Sequence, residues 1–389
     1  MLQSQQLTKF QRQRRKPLSQ TPSFNLKETS GKARRGTLHL AHGPVETPAF
    51  MPVGTQATVK TVRNSDLEAD GFSIILGNTY HLYLRPGLEV IENAGGLHSF
   101  MNWKGNILTD SGGFQLFSLS SLRKVTEEGY NFQSHIDGSK HILTPEKVIK
   151  AQTVFGSDVM MVLDECLEQP SKKTRTEESV ELTLRWAERA RKNHPGNGQA
   201  MFGIVQGGGF PELRAYCADR LVGMDFDGYA IGGVAVGEER PMMELAVKSC
   251  IDNLPENKPR YLMGVGKPKD LIDFVGMGVD MFDCVVPTRN ARGACFFIPD
   301  GKLNIRNAKH RNDFRPVQED CDCYVCRNHT RAYMHHLFKA KEWLAPIYAT
   351  LHNLRYFAKL MEQLREAVAE DRYESTSRDL LKRMGFFGN

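Results

Sequence analysis

The sequence predicts an α/β protein in which eight parallel strands close into a (β/α)₈ barrel, followed by a metal-binding subdomain near the C-terminus. Eight short apolar runs rich in β-branched residues alternate with helix-like segments, which is the pattern of a parallel sheet. Polar residues and glycines follow successive runs, as they do at the functional face of a barrel. A cluster of cysteines precedes the last helix-like segments. An open doubly wound sheet is the alternative arrangement of the same elements.

The predicted strands are the apolar runs themselves. They cover residues 48–53, 72–76, 106–109, 159–163, 201–205, 228–231, 260–263 and 279–284. Helix-like segments between them cover 176–193, 210–222, 240–252 and 268–276, and another begins where Thr144 supplies an N-cap and Pro145 the first helical position. After residue 330 the pattern is helical, and one apolar stripe steps by three and four residues through Leu354, Phe357, Met361, Leu364 and Val368.

Composition narrows the class of protein. The 389 residues are 40% hydrophobic, enough for a sizeable core, and no apolar run is long enough to predict a transmembrane helix. Five of the eight cysteines are scattered, which is typical of a reducing cytosol rather than of a disulfide framework. We therefore expect a cytoplasmic protein without a membrane partner.

Charge is concentrated at the N-terminus. Six of the 51 basic residues and no acidic residue fall within residues 1–27, so the rest of the chain carries 45 charges of each sign. We expect a disordered basic tail at 1–23, the barrel at 24–300, and the metal-binding subdomain with closing helices at 301–389. An arm that touches nucleic acid, or a transit peptide, would have the same composition as the tail.

Cys321, Cys323 and Cys326 lie within six residues of one another and predict a Zn²⁺ site completed by one histidine. His352, expected to open the next helix, is one candidate for the fourth ligand, and the competing candidates are His329, His335 and His336. A shell of four protein ligands leaves no open position on the metal. The zinc, one per chain, is therefore expected to stabilise the fold, and the chemistry is expected elsewhere.

Polar groups that follow the predicted strands indicate an active site. Single aspartates in such positions commonly cap helices, but several carboxylates, an amide and repeated glycines on one predicted face indicate an enzyme that binds a planar polar ligand. Glycines there would let the backbone approach the ligand closely. No phosphate-binding glycine motif is present. The groups are Asp110, Ser111, Gly112, Gly113, Asp164, Cys166, Gln206, Gly232, Gly233, Gly264 and Asp283.

A basic stretch lies directly before the cysteine cluster. Residues 289–315 hold seven basic residues against two acidic ones. Such a run is usually a solvated surface, but beside a zinc module it also indicates a polyanion such as nucleic acid.

Three segments resemble the tRNA-guanine transglycosylase family, as does the cysteine cluster with its distant histidine. The segments are Thr109-Asp110-Ser111-Gly112-Gly113-Phe114-Gln115, Tyr261-Leu262-Met263-Gly264-Val265-Gly266 and Asp280-Met281-Phe282-Asp283-Cys284-Val285-Val286-Pro287-Thr288-Arg289. The resemblance extends from about residue 24 to the last helix. It implies a TIM barrel with a zinc subdomain. It also implies a homodimeric pentosyltransferase that exchanges the wobble guanine of tRNA for a 7-deazaguanine.

The resemblance also implies roles for individual residues. Asp283 is expected to be the nucleophile of a double displacement through a covalent enzyme–RNA intermediate, and Asp110 the general acid/base. The base-binding residues are expected to be Asp110, Ser111, Gly112, Gly113, Phe114, Asp164, Cys166, Gln206, Gly232, Gly233, Val236 and Met263. The RNA-binding residues are expected to be Gly264, Val265, Gly266, Lys267, Pro268, Lys269, Asp270, Thr288, Arg289, Asn290, Ala291 and Arg292. The zinc ligands are expected to be Cys321, Cys323, Cys326 and His352.

The resemblance favours a bacterial type of enzyme. Eukaryotic relatives, which take the bulkier queuine, tend to have glycine where this chain has Val236, and Cys166 matches the bacterial pattern. The expected substrates are therefore 7-aminomethyl-7-deazaguanine (preQ1) and the GUN-anticodon tRNAs for Asp, Asn, His and Tyr, in queuosine biosynthesis. A non-catalytic RNA-binding relative and a zinc hydrolase are the rival interpretations. The presence of both Asp110 and Asp283 argues against the first, and a closed metal shell against the second.

Overall fold

The computed structural model describes residues 21–119, 123–235, 237 and 239–386. Most of the expected tail at 1–23 lies outside these residues, and Val236 lies outside them as well. The division of the remaining chain at residue 300 stays a prediction. None of the helices in the described ranges is long and apolar enough to cross a membrane.

Sixteen strands are found in the described ranges. They are β1 (Ser23–Ser30), β2 (Ala33–Leu40), β3 (Gly43–Thr47), β4 (Ala49–Pro52), β5 (Ile74–Gly77), β6 (Asn106–Thr109), β7 (Arg123–Val125), β8 (Tyr130–Gln133), β9 (Lys140–Leu143), β10 (Val159–Met161), β11 (Ala200–Val205), β12 (Gly228–Ile231), β13 (Arg260–Leu262), β14 (Met281–Cys284), β15 (Cys295–Ile298) and β16 (Gly301–Asn304).

Fifteen α-helices accompany the strands in the same ranges. They are α1 (Asn64–Ala69), α2 (Thr79–Leu84), α3 (Leu88–Asn93), α4 (Leu97–Met101), α5 (Gly113–Leu119), α6 (Pro145–Phe155), α7 (Lys173–Lys192), α8 (Pro211–Val222), α9 (Arg240–Lys248), α10 (Pro268–Val275), α11 (Val286–Arg292), α12 (Tyr324–Asn328), α13 (Arg331–Ala340), α14 (Leu344–Ala369) and α15 (Tyr373–Arg383).

Eight parallel strands form the barrel, in the order β4, β14, β13, β12, β11, β10, β6, β5. The two ends of this order meet, because Val53 forms a parallel bridge with Leu76 and the Gly54 N–H donates to the Leu76 carbonyl at 2.7 Å. The closed barrel is therefore confirmed, and the open doubly wound sheet is excluded. All eight predicted strands correspond to barrel strands.

The helices follow from local sequence signals. The Thr144 hydroxyl accepts the Lys147 N–H at 3.3 Å and Pro145 begins α6, as the sequence predicts. The predicted helix at 240–252 is shorter, since α9 ends at Lys248 and a 3₁₀ turn follows at Ile251–Asn253. Three antiparallel additions have no counterpart in the sequence prediction: the sheet β1–β2–β3, the sheet β7–β8–β9 and the hairpin β15–β16.

Helix α14 connects two hydrophobic cores. Its C-terminal half carries the predicted apolar stripe, and Met361, Leu364 and Val368 are buried in the barrel core. Its N-terminal half contributes Ala345 and Ala349 to a second core, which contains the cysteine cluster. One helix thus fixes the metal-binding region against the barrel.

Candidate active site and metal centre

A cleft of about 450 Å³ opens at the carboxyl ends of the barrel strands. Parallel strands bring these ends to one face of the barrel, which is where the sequence predicts the functional residues. The predicted residues that line the cleft are Asp110, Ser111, Gly112, Phe114, Asp164, Cys166, Gly232, Gly233, Met263, Gly264, Asp283 and Arg289.

Asp110 directly follows β6 and is buried against the residues that follow β5. The Thr79 N–H donates to Asp110 Oδ1 at 2.8 Å, and the Asn78 amide donates to Oδ2. Burial nevertheless raises the pKa of Asp110 to about 6, and the negative charge of Asp283 adds to the increase. A carboxyl group with this pKa exchanges a proton readily near neutral pH.

Asp283 lies in β14, across the cleft from the loop that carries Asp110. Its Oδ1 accepts two hydrogen bonds, from the Tyr261 hydroxyl at 2.5 Å and from the Gly264 N–H at 2.7 Å. Desolvation raises the pKa of Asp283, and these two bonds partly oppose the increase. The arrangement fixes Oδ1 of Asp283 with two donors.

Asp280 lies at the opposite end of β14 and does not line the cleft. Its Oδ2 accepts the Arg260 N–H at 2.8 Å, and its Oδ1 lies 3.2 Å from Arg34 Nε. Both side chains of this ion pair are buried. Asp280 therefore belongs to the floor of the barrel, and Asp283 is the carboxylate of this strand that faces the cleft.

Asp164 follows β10 and is fixed by two side chains. The Ser111 hydroxyl donates to Oδ1 at 2.9 Å, and the Gln206 amide donates to Oδ2 at 2.7 Å. Burial raises the pKa of Asp164. Gln206 does not itself line the cleft; it lies behind Asp164 and contacts it.

The glycines of the site make room for these side chains. A Cβ atom on Gly113 would lie 2.8 Å from Asp164 Oδ1, and one on Gly232 would lie 2.9 Å from Gln206 Nε2. The sequence pattern predicts that these glycines let a ligand approach the backbone closely. In the structure a Cβ atom at either position would clash with the protein itself, with Asp164 at Gly113 and with Ile204 Cγ2 (2.6 Å) as well as Gln206 at Gly232.

The predicted RNA path is only partly at the surface. Lys267, Arg289 and Gly264 are exposed, and Lys269, Asn290 and Arg292 are partly exposed. The other residues predicted for this path are buried: Val265, Gly266, Pro268, Asp270, Thr288 and Ala291. Arg292 Nη1 is buried and has no hydrogen-bond partner in the described part of the chain.

Several residues of the cleft are not predicted by the sequence pattern. Asn78, His81 and Tyr261 line the cleft with the predicted residues, as do Gln115 and Cys284. Asn78 follows β5, so the rule that found Asp110 and Asp164 also points to it. Tyr261 lies inside its strand, where sequence gives no sign of a role. The predicted contact from Val236 falls outside the described residues.

The cysteine cluster forms a compact centre that could hold a metal ion. The ligand atoms of Cys321, Cys323, Cys326 and His352 all lie within 4.8 Å of one another. His352 Nδ1 lies 3.8, 3.6 and 3.3 Å from the three sulfur atoms in turn. His352 Nε2 lies 2.8 Å from the Phe297 carbonyl oxygen, so this nitrogen carries the proton and Nδ1 presents its lone pair to the sulfurs.

The competing histidines have other partners. His335 Nδ1 lies 2.7 Å from the Ile305 carbonyl oxygen, and His329 stacks on Tyr348 with ring centroids 4.8 Å apart. His336 is exposed. His352 lies in the third turn of α14 rather than at its start, so the helix itself delivers the fourth ligand to the three cysteines.

Comparisons with known proteins agree over nearly the whole chain. A family model described as queuine tRNA-ribosyltransferase matches residues 28–385. A queuine tRNA-ribosyltransferase of Caldanaerobacter subterraneus subsp. tengcongensis is 57% identical over 364 residues, covering 93% of this chain and 96% of that protein. Proteins of the same name from Thermoanaerobacter pseudethanolicus and Pseudoalteromonas translucida are 56% and 50% identical, covering 92% and 93% of this chain and 96% of each relative.

Proposed function

The chain belongs to the queuine tRNA-ribosyltransferase family and is a tRNA-guanine transglycosylase, a pentosyltransferase; from this premise we propose that it exchanges the wobble guanine of GUN-anticodon tRNAs for preQ1. The tRNAs would be those for Asp, Asn, His and Tyr. The observation that supports the proposal most strongly is the pair of carboxyl groups, Asp110 and Asp283, that face one cleft and are held by separate sets of hydrogen-bond donors.

The proposed reaction is a double displacement at C1′ of the ribose. A carboxylate oxygen of Asp283 attacks C1′ as the bond to N9 of guanine breaks, and Asp110 donates its proton to the departing base. Asp110 then takes a proton from the incoming base, which attacks C1′ and releases Asp283. The sugar is thus inverted twice and its configuration is retained, as in retaining glycosidases.

The base would lie between Phe114 and Met263. Phe114 is 46% exposed at the cleft, which supports a stacking role that is completed only by a ligand. Asp164 would accept hydrogen bonds from the N–H groups of the Watson–Crick edge. Because stacking inside an RNA strand would block this approach, the wobble nucleotide must leave its stack to enter the cleft.

We propose preQ1 rather than queuine as the natural base. Cys166 lines the cleft, in agreement with the bacterial sequence pattern, and the relatives named above are bacterial. The sequence has valine at position 236, where relatives that take queuine tend to have glycine. Exclusion of a bulkier 7-substituent by shape would discriminate only modestly.

The tRNA would contact the rim of the cleft through exposed basic residues. Arg289 lines the cleft and is exposed, and Arg292, one helical turn further along α11, is partly exposed. Lys267, which is exposed, would extend this basic rim, whereas the partly exposed Lys269 pairs with Asp273 at 2.7 Å. The buried members of the predicted path would hold the loop in place rather than touch RNA.

We propose that the cysteine centre holds one structural Zn²⁺. Three thiolates and one imidazole are the donor set of closed zinc sites, and the fixed tautomer of His352 suits Nδ1 ligation. Such a metal stabilises the fold and leaves the reaction to the carboxylates.

We also propose that the protein acts as a cytoplasmic homodimer. Its eight cysteines are all free, which suits a reducing compartment. An aromatic surface beside the metal centre, formed by Tyr324, His329, Tyr333 and Tyr348, supports association with a second copy. Tyr324 is 55% exposed and Tyr333 is 39% exposed, so their surface is one that association would cover.

The decisive experiment is Asp283→Asn. The amide oxygen still accepts hydrogen bonds from Tyr261 and Gly264, so the fold should persist while the nucleophile is lost. We expect release of labelled guanine from tRNA to fall at least about 10³-fold, and the protein–RNA adduct on a denaturing gel to disappear, with tRNA affinity within about twofold of wild type.

The matched control is Asp252→Asn, which removes an exposed carboxylate far from the cleft. An adduct of normal yield from Asp283→Asn would assign the nucleophile to another residue. Failure of the wild-type protein to release guanine from any tRNA would favour the non-catalytic RNA-binding interpretation.

A further inference from the structure

Arg214 is a buried guanidinium that holds two loops at the carboxyl ends of the barrel strands. It lies in α8 and is 1% exposed. Its Nε donates to the Gly208 carbonyl at 2.6 Å, its Nη1 to the Gly232 carbonyl at 3.1 Å and its Nη2 to the Gly233 carbonyl at 3.4 Å. The loop after β11 and the loop after β12 are therefore joined by one rigid, fork-shaped group.

These contacts fix the direction of the next two backbone N–H groups. In a trans peptide the C=O and N–H bonds point in opposite directions, so the N–H groups of Gly233 and Val234 point away from Arg214. Gly233 and Val234 line the cleft, whereas Arg214 does not. In the described part of the chain, neither N–H has an acceptor.

We propose that Arg214 is a positioning residue for base recognition, which orients the N–H groups of Gly233 and Val234 toward the carbonyl oxygen of the bound purine. This inference rests on the proposed function. The two N–H donors face the same cleft as Asp164. The Asp164 carboxylate would accept hydrogen bonds from the N–H groups on the same Watson–Crick edge of the purine. Without the guanidinium, the two peptide planes are free to rotate, and the donors are no longer preorganised.

Arg214→Lys and Arg214→Gln test the inference. Lysine keeps the charge but cannot bond three carbonyl groups in one plane, and glutamine keeps only a single short donor group. Exchange of labelled guanine in tRNA is measured with guanine and 6-thioguanine as competing bases. The two bases differ only at the acceptor atom, because sulfur accepts hydrogen bonds weakly.

We expect the preference for guanine over 6-thioguanine to fall about 5- to 10-fold in both variants, since one hydrogen bond to a neutral acceptor is lost. The affinity for tRNA should stay within about twofold of wild type, because Arg214 lies outside the cleft. Arg220→Gln is the matched control: it lies on the same helix, is exposed and should leave the preference unchanged. Guanidinium ion added to Arg214→Ala should restore part of the preference.

A purely structural role for Arg214 would weaken both bases equally and leave the preference at the wild-type value, which would overturn the inference. If Arg214→Gln does not fold, the preference of Arg214→Lys for guanine over 6-thioguanine decides the question. The two proposals fail differently. Wild-type protein that exchanges no base contradicts the proposed function, whereas wild-type exchange with an unchanged preference in the variants contradicts only the role of Arg214.

Discussion

Tyr261 controls the charge state of the proposed nucleophile, because its hydroxyl bonds Asp283 Oδ1 and so lowers a pKa that burial raises. In the proposed reaction, attack on C1′ requires Asp283 to be ionised, and departure of guanine requires Asp110 to be protonated. Rates therefore fall at low pH through Asp283 and at high pH through Asp110, whose pKa is about 6. The two carboxyl groups together define a bell-shaped profile.

We predict that Tyr261→Phe moves the acidic limb of this profile to higher pH. Removing a donor to the ionised form destabilises it, so the pKa of Asp283 rises further. The rate of adduct formation, measured across pH in single turnover, checks the shift. Tyr229→Phe, in the neighbouring strand but without a bond to either carboxylate, should keep the wild-type profile. An acidic limb that moves to lower pH would contradict the assignment.

Among individual residues, the sequence pattern predicts the polar groups that follow strands. It does not predict groups whose contacts depend on which strands lie next to each other. Asp110, Asp164 and Asp283 stand at or just beyond strand ends, and their shared face follows from parallel order alone. The contact of Asn78 with Asp110 depends on β5 lying next to β6, which periodicity does not give. Arg214 lies inside a helix pattern, where a charged residue normally indicates an exposed face.

At the element scale, apolar parallel strands were predictable and antiparallel additions were not. The barrel strands are continuous apolar runs because both of their faces are covered. In contrast, β1 alternates exposed and buried residues and contains Lys27 and Glu28, and β7 contains Arg123 and Lys124. In sequence alone, segments that mix charged and apolar residues in this way resemble loops.

Helix α14 makes the metal centre and the barrel interdependent. We predict that Cys323→Ser and His352→Ala each lower bound zinc from one per chain to about 0.1 or less, because a closed site needs all four ligands. Thermal unfolding should start at a lower temperature in both variants. Metal analysis after dialysis and calorimetry provide the two measurements.

His329→Ala is the control for this prediction, since His329 contacts aromatic rings rather than the sulfurs. It should retain the full metal content. Unchanged zinc in His352→Ala would mean that another group completes the shell.

At the scale of the whole molecule, a histidine pair ties the N-terminal sheet to the floor of the barrel. The rings of His42 and His98 stack with centroids 3.7 Å apart, and Asp158 Oδ1 lies 2.6 Å from His42 Nδ1. Asp158 Oδ2 lies 3.2 Å from His98 Nε2 and also accepts the Ile107 N–H at 2.8 Å. One buried carboxylate thus joins the turn between β2 and β3 to strand β6.

We predict that Asp158→Asn lowers the free energy of unfolding by about 1–3 kcal/mol near pH 5.5. The hydrogen bond to Asp158 raises the pKa of His42, so its contribution is complete below the ordinary value of 6.5 and is lost as pH rises through the higher folded value. Burial acts to raise the pKa of Asp158, but the hydrogen bonds to His42 and His98 outweigh burial, so the pKa of Asp158 is lowered. Its contribution is present above 3.8 and is lost as pH falls through the lower folded value.

The difference in the free energy of unfolding is measured by denaturant unfolding of wild type and variant. The measurements run from about pH 4.5 to about pH 8.5, which brackets the ordinary range of histidine pKa values. The variant should lose this part of the pH dependence. Asp225→Asn, at an exposed carboxylate, should retain it. Equal pH dependence in Asp158→Asn and wild type would contradict the predicted coupling.

The closure of the barrel also determines when a newly made chain can fold. Strand β4 pairs on one side with β14, where Ala49 lies opposite Met281, so its partner is synthesised more than two hundred residues later. At the typical pace of translation, that interval is on the order of 10–50 s. During this time the apolar strand Ala49–Pro52 has an unpaired edge. Protection of that edge outside the ribosome is therefore a requirement of this topology, and the barrel closes only after synthesis has passed β14.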